Sequence, residues 1–418
     1  MAQAIAPFAA SCETLILDLF AGMDGLGHAL QTAGIEPLLG SSVLIVQFEI
    51  DPRCRRLLLL RVRPGVVVSD EAGSDGLPGS VLWLLEGGLQ ELLQLLPNLK
   101  RVLSAGGSPC VGFSRAKPGA RGAQDEESAK VWMPVAIPSV LKSLKPALSI
   151  GFLLENVEMD SKWVHAISKV LHQPALHGDC AKVAAASRPR LFWTNLECSP
   201  LASQDVDVMN SIDDGWAPLA ALDKPLASGW RFGTFLRPSP PGAPREFPAD
   251  FWRLPLSQYS MRNLVYRLNA TDEEKQTLRR WIKDSVSIDC SEIREKGSRS
   301  QVARAKLCSW IHSEGGGSLL RPLRGHERSL ALGFPRDAAS LPDDSLDDLG
   351  INWGQLSMTG NSFSPKVVSH FLKSFVSAIL AAQEPPLLTG FPSLTTKDSI
   401  LKQIIDAAEE TQGKTARR

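Results

Sequence analysis

The chain has 418 residues, a formal net charge of zero and 44 % apolar residues. That length suggests two or three domains, or one large α/β domain carrying an insertion, and the composition excludes a coiled coil, a disordered protein and a surface that grips nucleic acid everywhere. Seven cysteines without a C-x-x-C pair fit neither a disulfide framework nor a zinc cluster, which predicts reduced thiols, no metal and a reducing compartment. No apolar run reaches membrane-spanning length: LLLLRVRPG is broken by charge, and VLWLLEGGLQELLQLL holds two glutamates and a glycine pair. The opening MAQAIAPFAASCETL lacks the basic segment of a secretory signal.

In chain order, TLILDLF (14–20) reads as a buried strand running into the turn DLFAGMDGLG (18–27). Gly22, Gly25 and Gly27 there either make a tight turn or let a nucleotide-like ligand approach the backbone at a helix N-terminus. LGHALQTAG has helical spacing, and SSVLIVQFE (41–49) is the second strand. It ends in Glu49, some twenty residues past the glycines, where an acid can accept both ribose hydroxyls of an adenosine group. GVVVS (65–69) is the third strand, and Asp70 at its end is placed to accept from an exocyclic amine. Three such strand ends in succession point to an adenosine-containing cofactor.

RVLSAGG (101–107) is the fourth strand, and its turn, GGSPCVGFS (106–114), puts Cys110 behind Pro109. A turn after a parallel strand faces the ligand crevice, so the thiol is presented to a substrate, as a nucleophile whose thiolate is its reactive form. SIGFLLEN (149–156) is the fifth strand and delivers Glu155 and Asn156 to the same edge. In SRPRLFWTN, Arg188 and Arg190 stand two apart on an extended segment, hence on one face, where they could clamp a carbonyl oxygen, a phosphate or the glutamate. The rhythm predicts a parallel sheet with helices on both faces.

From about Leu196 to Leu320 that rhythm fails, which predicts a second, smaller domain. Between Arg231 and Lys306 about fifteen Lys and Arg face about nine Asp and Glu, either a phosphate-facing patch or a solvated helical face. TDEEKQTLRRWIKDSV reads as a helix with a Thr271 and Glu274 capping box. In MTGNSFSPKVVSHFLKSFVSAIL, Ser364 and Pro365 start a helix whose Val368, Phe371, Leu372, Phe375 and Ile379 form an apolar stripe. A further helix is possible around SILKQIIDAAEE. The expected domains are 1–195 for cofactor and catalysis, 196–320 for target recognition, 321–384 returning to the first, and 385–418 as a tail.

Taken together, these segments resemble the DNA cytosine-5 methyltransferase family. DLFAGMDGLG is similar to its first cofactor motif, Glu49 in FEID to the second and Asp70 to the third. GSPC resembles the catalytic Pro-Cys motif, LENV the Glu-Asn-Val motif, SRPRLFW the Arg-x-Arg motif and TGNSFSPKVV the closing motif. GGSPC, RLFWTNL and ERSLALGFP look most like the eukaryotic de novo class, as does Ala186, which stands where many bacterial members have glutamine.

The resemblance implies an α/β fold with a Rossmann-like class I S-adenosylmethionine-dependent sheet and a smaller target-recognition domain. It implies a cofactor site of Phe20, Gly22, Met23, Asp24, Gly25, Glu49, Asp70, Asn361, Ser362 and Phe363, and S-adenosylmethionine as the methyl donor. Catalysis would fall to Cys110 behind Pro109, adding to carbon 6 of a cytosine that accepts the methyl at carbon 5. Glu155 would serve ring nitrogen 3 and Arg190 the base's carbonyl oxygen, while Arg188 would orient Glu155 or the Cys110 loop beside Asn156. The base must leave the duplex to be reached. Arg115, Lys117 and Arg121 then belong to a loop that is either a lid over the flipped base or an ordinary solvated loop, and Arg253, Arg262, Arg267, Arg279 and Arg280 become candidates for DNA contact. Double-stranded DNA is the expected partner, with transfer RNA as the alternative and a catalytically silent regulatory module as a third reading. A nuclear location follows from the subclass resemblance, and no feature specifies an oligomeric state.

Overall fold

The computed structural model describes residues 1–114, 121–235, 263–286, 320–345, 352–388 and 394–415. They form two compact units, the first made of Met1–Asp179, Pro189–Ala202 and Phe363–Arg418, the second of Cys180–Arg188 and Ser203–Ser362.

The first unit is built on a seven-stranded sheet of β1 (Thr14–Leu19), β2 (Val43–Phe48), β3 (Val66–Val68), β4 (Arg101–Gly107), β5 (Ser149–Val157), β6 (Leu176–Asp179) and β7 (Pro189–Thr194). Its order is β3-β2-β1-β4-β5-β7-β6, so the chain reverses direction across the sheet between β1 and β4. β1 to β5 pair in parallel, while β7 runs antiparallel to both β5 and β6. This is the Rossmann-like class I methyltransferase fold, and the fully parallel sheet expected from the strand rhythm is corrected at β7. Five of the seven strands lie where near-continuous apolar runs place them, because strands covered on both faces have no polar side to show.

One face carries Leu15, Leu17, Leu44, Val46, Phe48, Val102, Ile150 and Phe152, packed with the helices Leu89–Leu95, Trp132–Leu144 and Ser161–Leu171. The other is covered by Gly25–Thr32 and the closing helix Pro365–Leu380, which pack on each other. The closing helix buries Val368, Phe371, Leu372, Phe375 and Ile379, the stripe read from sequence, and Phe371 meets Phe192 of β7 with ring centroids 4.5 Å apart. Each such side chain contributes about 1.5–3 kcal/mol on burial. The helix Lys397–Thr415, in what read as a tail, completes the first face: Ile400, Ile404, Ala407 and Ala408 are buried in the same core as Trp163 and Ile167. Among the described residues, no helix is long and apolar enough to cross a membrane.

In the second unit, β8 (Trp216–Pro218), β9 (Leu264–Arg267) and β10 (Leu320–Pro322) form an antiparallel sheet. The helix Asp272–Val286 begins with the expected capping box: Glu274 N–H donates to Thr271 Oγ1 at 3.2 Å, and Thr271 N–H to Glu274 Oε2 at 2.7 Å. The return to the first domain, expected at 321, comes at Phe363, because the helix Gly325–Leu332 packs against Val208–Ser211 within the second unit. Its core holds a buried pair, Arg321 donating twice to Glu327 at 2.6 and 2.8 Å with the guanidinium 4.2 Å above the Trp216 ring. Asp213 accepts from Arg324 at 3.0 Å, from the His326 ring at 2.8 Å and from Arg336. Burial pushes the Asp213 carboxyl up, but these bonds outweigh it and hold the group below the usual aspartate range. Asp213, His326 and Glu327 lie close enough together to hold a metal ion, yet three arginines already neutralise their carboxylates.

Candidate functional site

The carboxyl ends of β1, β2, β4 and β5 form one edge of the sheet, where ligands sit in folds of this kind. The turn after β1 is unusual in its backbone. Phe20, Gly22 and Asp24 all have left-handed φ, at 57°, 57° and 66°. Alternation of this sort turns successive N–H groups toward one side, a concavity suited to anionic or polar groups. A methyl added at Gly22 would meet only Phe20 O, at 3.9 Å, so the space above it is open. At Gly25 it would strike the Phe363 ring at 2.8 Å, so the glycine is what lets the closing motif lie on the first turn. Met23 is buried.

Glu49, at the end of β2, accepts from Gly22 N–H at 2.7 Å and from Asp51 N–H at 2.8 Å. Burial pushes its carboxyl up, against those two N–H bonds. A carboxylate has about four acceptor sites, so capacity remains for a hydroxyl donor. Asp70 ends β3 with an exposed side chain, 3.5 Å from the Met1 amine. Asn361 and Ser362 end the helix Trp353–Asn361 and are counted with the second unit; Ser362 Oγ donates to Met358 O at 2.8 Å. The residues around the first turn therefore fit an adenosine-type cofactor: an open glycine, a ring against the turn and an acid with acceptor capacity.

Two supports of this turn escaped the sequence reading. Arg55 donates to the carbonyls of Glu49 at 3.1 Å and Ser69 at 2.6 Å, tying the ends of β2 and β3 together. Gln47 Nε2 donates to Asp18 Oδ2 at 3.1 Å and Asp24 Oδ1 at 2.7 Å, so one amide bridges two buried acids beneath the turn. Burial, reinforced by the charge of Asp24, drives the Asp18 carboxyl well above the ordinary aspartate value, with the Gln47 bond opposing. Its Oδ1 is buried without a hydrogen-bond partner. A raised carboxyl binds its proton more tightly in the native state, so Asp18 costs stability as pH rises from the unfolded value toward the native one. Asp18→Asn imitates the protonated form. It should melt with wild type in acid, below the unfolded aspartate value of about 4, and above it at higher pH, the gap in thermal melts growing until the native carboxyl ionises; a variant less stable at every pH would contradict this.

At the neighbouring strand ends, β4 and β5 are in register with Gly107 opposite Glu155. A methyl at Gly107 would lie 2.5 Å from Glu155 Oε2, so the bare backbone is what gives the carboxylate its place over the strand end. Glu155 Oε1 accepts from Arg190 Nε at 2.9 Å, both side chains 12–13 % exposed. Because β7 is antiparallel, its N-terminal end lies beside the carboxyl end of β5, and this is how Arg190 reaches the edge. Asn156, buried, donates from Nδ2 to Ser108 Oγ at 3.0 Å, anchoring the turn that carries Pro109 and Cys110. Cys110 is half-buried and in no disulfide; its carbonyl accepts from Phe113 and Ser114 N–H at 3.0 Å each. Burial pushes the Cys12 thiol up to about 11 and that of Cys54 higher still, as packing residues. Gly107→Ala should leave the fold intact, displace Glu155 and cut turnover about tenfold or more, on the scale by which misplaced groups lose rate; steady-state kinetics at saturating cofactor would show it.

Arg121 is exposed, and Arg115, Lys117, Arg253 and Arg262 lie outside the described residues. Arg267 pairs with Glu274 at 3.0 Å, Arg279 with Asp223 at 2.5 Å, and Arg280 donates to Thr277 Oγ1 at 3.4 Å. Arg188 is buried and donates to the carbonyls of Phe235 at 3.1 Å and Gly360 at 3.0 Å, inside the second unit. Glu155 is paired with Arg190.

No protein-family model and no curated protein matches the sequence. Among solved structures, the chain is similar to the Entamoeba histolytica methyltransferase EhMeth, at 11 % identity over 88 % of this chain and 99 % of that one, with a TM-score of 0.47. It is similar to a mutant of Spodoptera frugiperda DNMT2, at 13 % identity over 86 % and 99 % of the two chains, with a TM-score of 0.47. It is also similar to the S. pombe Dnmt2 methyltransferase, at 13 % identity over 88 % and 99 %, with a TM-score of 0.45.

Proposed function

We infer that this protein methylates carbon 5 of cytosine in DNA, with S-adenosylmethionine as donor and Cys110 as covalent catalyst. The observation that carries the reading is the joint placement of the Cys110 turn, Glu155 and Arg190 at one sheet edge, with Gly107 clearing the space for the carboxylate. The turn at Gly22, the Phe363 ring and Glu49 would hold the cofactor at the neighbouring strand ends, with Asp70 directed to its base. When bound, S-adenosylmethionine supplies an electrophilic methyl group.

Carbon 5 of cytosine is a poor nucleophile until carbon 6 is attacked. The Cys110 thiolate adds at carbon 6, and the displaced electron pair moves toward carbon 5 and ring nitrogen 3. Glu155 hydrogen-bonds or protonates nitrogen 3, and Arg190 holds both that carboxylate and the base's carbonyl oxygen, so the developing charge meets donors already in place. Carbon 5 takes up the methyl, loses its proton to solvent, and the Cys110 sulfur leaves as the ring regains its double bond. Asn156, through Ser108, keeps the thiol's turn against β5. Arg188 acts within the second unit as a positioning residue. The target base must be extruded from the duplex, at a cost of a few kcal/mol.

The test offers duplex DNA and transfer RNA separately, with methyl-labelled S-adenosylmethionine, to wild type and Cys110→Ala. Label on DNA that vanishes in the variant supports the reading. Label on transfer RNA alone replaces the substrate and keeps the chemistry, and no label on either, with the cofactor still bound, indicates a silent binding module.

A further inference from the structure

The loop that carries Cys110 leaves β4 and is closed again by a short neck. Gly122 N–H donates to Gly112 O at 2.7 Å, and Gly112 N–H donates to Ser128 Oγ at 2.6 Å, with Ser128 fully buried. Ser128 N–H in turn donates to Asp125 Oδ1 at 3.3 Å. Neither glycine has room for a side chain. A methyl on Gly112 would lie 2.3 Å from Asp125 Cβ, and one on Gly122, whose φ is +60°, would lie 1.9 Å from Trp163 Cε2.

Trp163 touches both sides of this neck. Its indole packs against Gly122, which opens the short 3-10 turn Gly122–Gln124, and meets Phe113 edge-to-face, with centroids 5.9 Å apart and planes at 76°. Phe113 is joined to Cys110 by the 3.0 Å bond from its N–H to the Cys110 carbonyl, so the ring and the thiol share one turn of backbone. Trp163 stands on the helix Ser161–Leu171, and the helix Lys397–Thr415 packs both on that helix and on Gly122–Gln124. The indole thus has packed core on one side and the neck of the Cys110 loop on the other.

We propose that Trp163 is a positioning residue for the nucleophile: through Phe113 and Gly122 it sets where the Cys110 sulfur stands relative to Glu155. This rests on Cys110 being the nucleophile. Trp163 is buried in the core of the first unit. Its effect is on geometry alone, so it should appear in the rate of bond formation and not in cofactor affinity.

The experiment follows the rate at which an oligonucleotide duplex containing 5-fluorocytosine becomes covalently attached to the protein in the presence of S-adenosylmethionine, with cofactor Kd measured in parallel. Trp163→Ala should slow attachment about 100-fold, the scale of an ångström-sized misplacement, and leave the Kd within about twofold. Trp163→Phe should recover most of the rate. Gly122→Ala, which keeps the indole in the core and presses on it from the loop, should slow attachment about tenfold or more and serves should Trp163→Ala fail to fold. Wild-type rates in Gly122→Ala and Trp163→Ala would overturn the proposal, as would a loss of cofactor affinity equal to the loss of rate. If the wild type itself never becomes attached, the reading of Cys110 fails instead, a result distinct from either.

Discussion

Cys110→Ala is expected to lower methyl transfer by about 10⁴-fold or more while cofactor affinity stays near wild type, since removal of a covalent nucleophile takes away the pathway and not the binding surface. The turn that carries the thiol is anchored through its backbone and neighbours: Asn156 holds Ser108, and Phe113 and Ser114 bond the Cys110 carbonyl. Losing one sulfur from a half-buried position leaves those anchors in place, so the melting temperature should move little. Cys12→Ala and Cys54→Ala are the controls. Both thiols are buried and held protonated, so their loss should affect stability and not turnover. The measurement is label transfer together with equilibrium binding of the cofactor; activity that survives in Cys110→Ala would end the covalent mechanism.

Glu155→Gln should reduce turnover by about 10²–10³-fold, in the range seen when a general acid or a charge-stabilising group is removed. The glutamine oxygen can still accept from Arg190 Nε, so the side chain should keep its place. What is lost is the negative charge, and with it the ability to hold a proton at ring nitrogen 3. Leaving the largely buried Arg190 without its counter-charge should also cost about 1–3 kcal/mol of stability, toward the low end because both groups keep some solvent contact. Turnover and melting temperature should therefore both fall while cofactor Kd holds. Unchanged turnover would remove Glu155 from the chemistry, whatever the stability does.

The strands that carry these residues were legible because burial on both faces imposes unbroken apolar runs, and β1, β2, β4 and β5 occur where such runs stand. Polar residues that follow a buried strand then stand out, as Cys110, Glu155 and Glu49 do. β6, LHGD, was missed because an edge strand that is half-exposed has no apolar signature. Gly107, Gln47, Arg55 and Trp163 were missed for another reason. Gly107 matters only because the register of β4 and β5 sets it opposite Glu155, and Gln47 only because the turn after β1 brings Asp24 beside Asp18. Such roles depend on pairs distant in sequence. In the basic region between 231 and 306, the described Arg267 and Arg279 pair with Glu274 and Asp223, partners that a count of charges does not specify.

The first unit is assembled from three separated stretches of chain, the last of which includes Lys397–Thr415. During synthesis the N-terminal sheet emerges with the outer side of Ser161–Leu171 bare, and about 200 residues of mostly inserted sequence lie between Thr194 and Lys397, where the segment that covers it begins. At roughly 5–20 residues per second that interval lasts about 10–40 seconds. Throughout it an apolar surface is open to chaperones or to other nascent chains. Ribosome-bound intermediates ending before residue 397 should consequently be the aggregation-prone species, and yield of native protein should be more sensitive to the final helix than its position at the chain's end suggests.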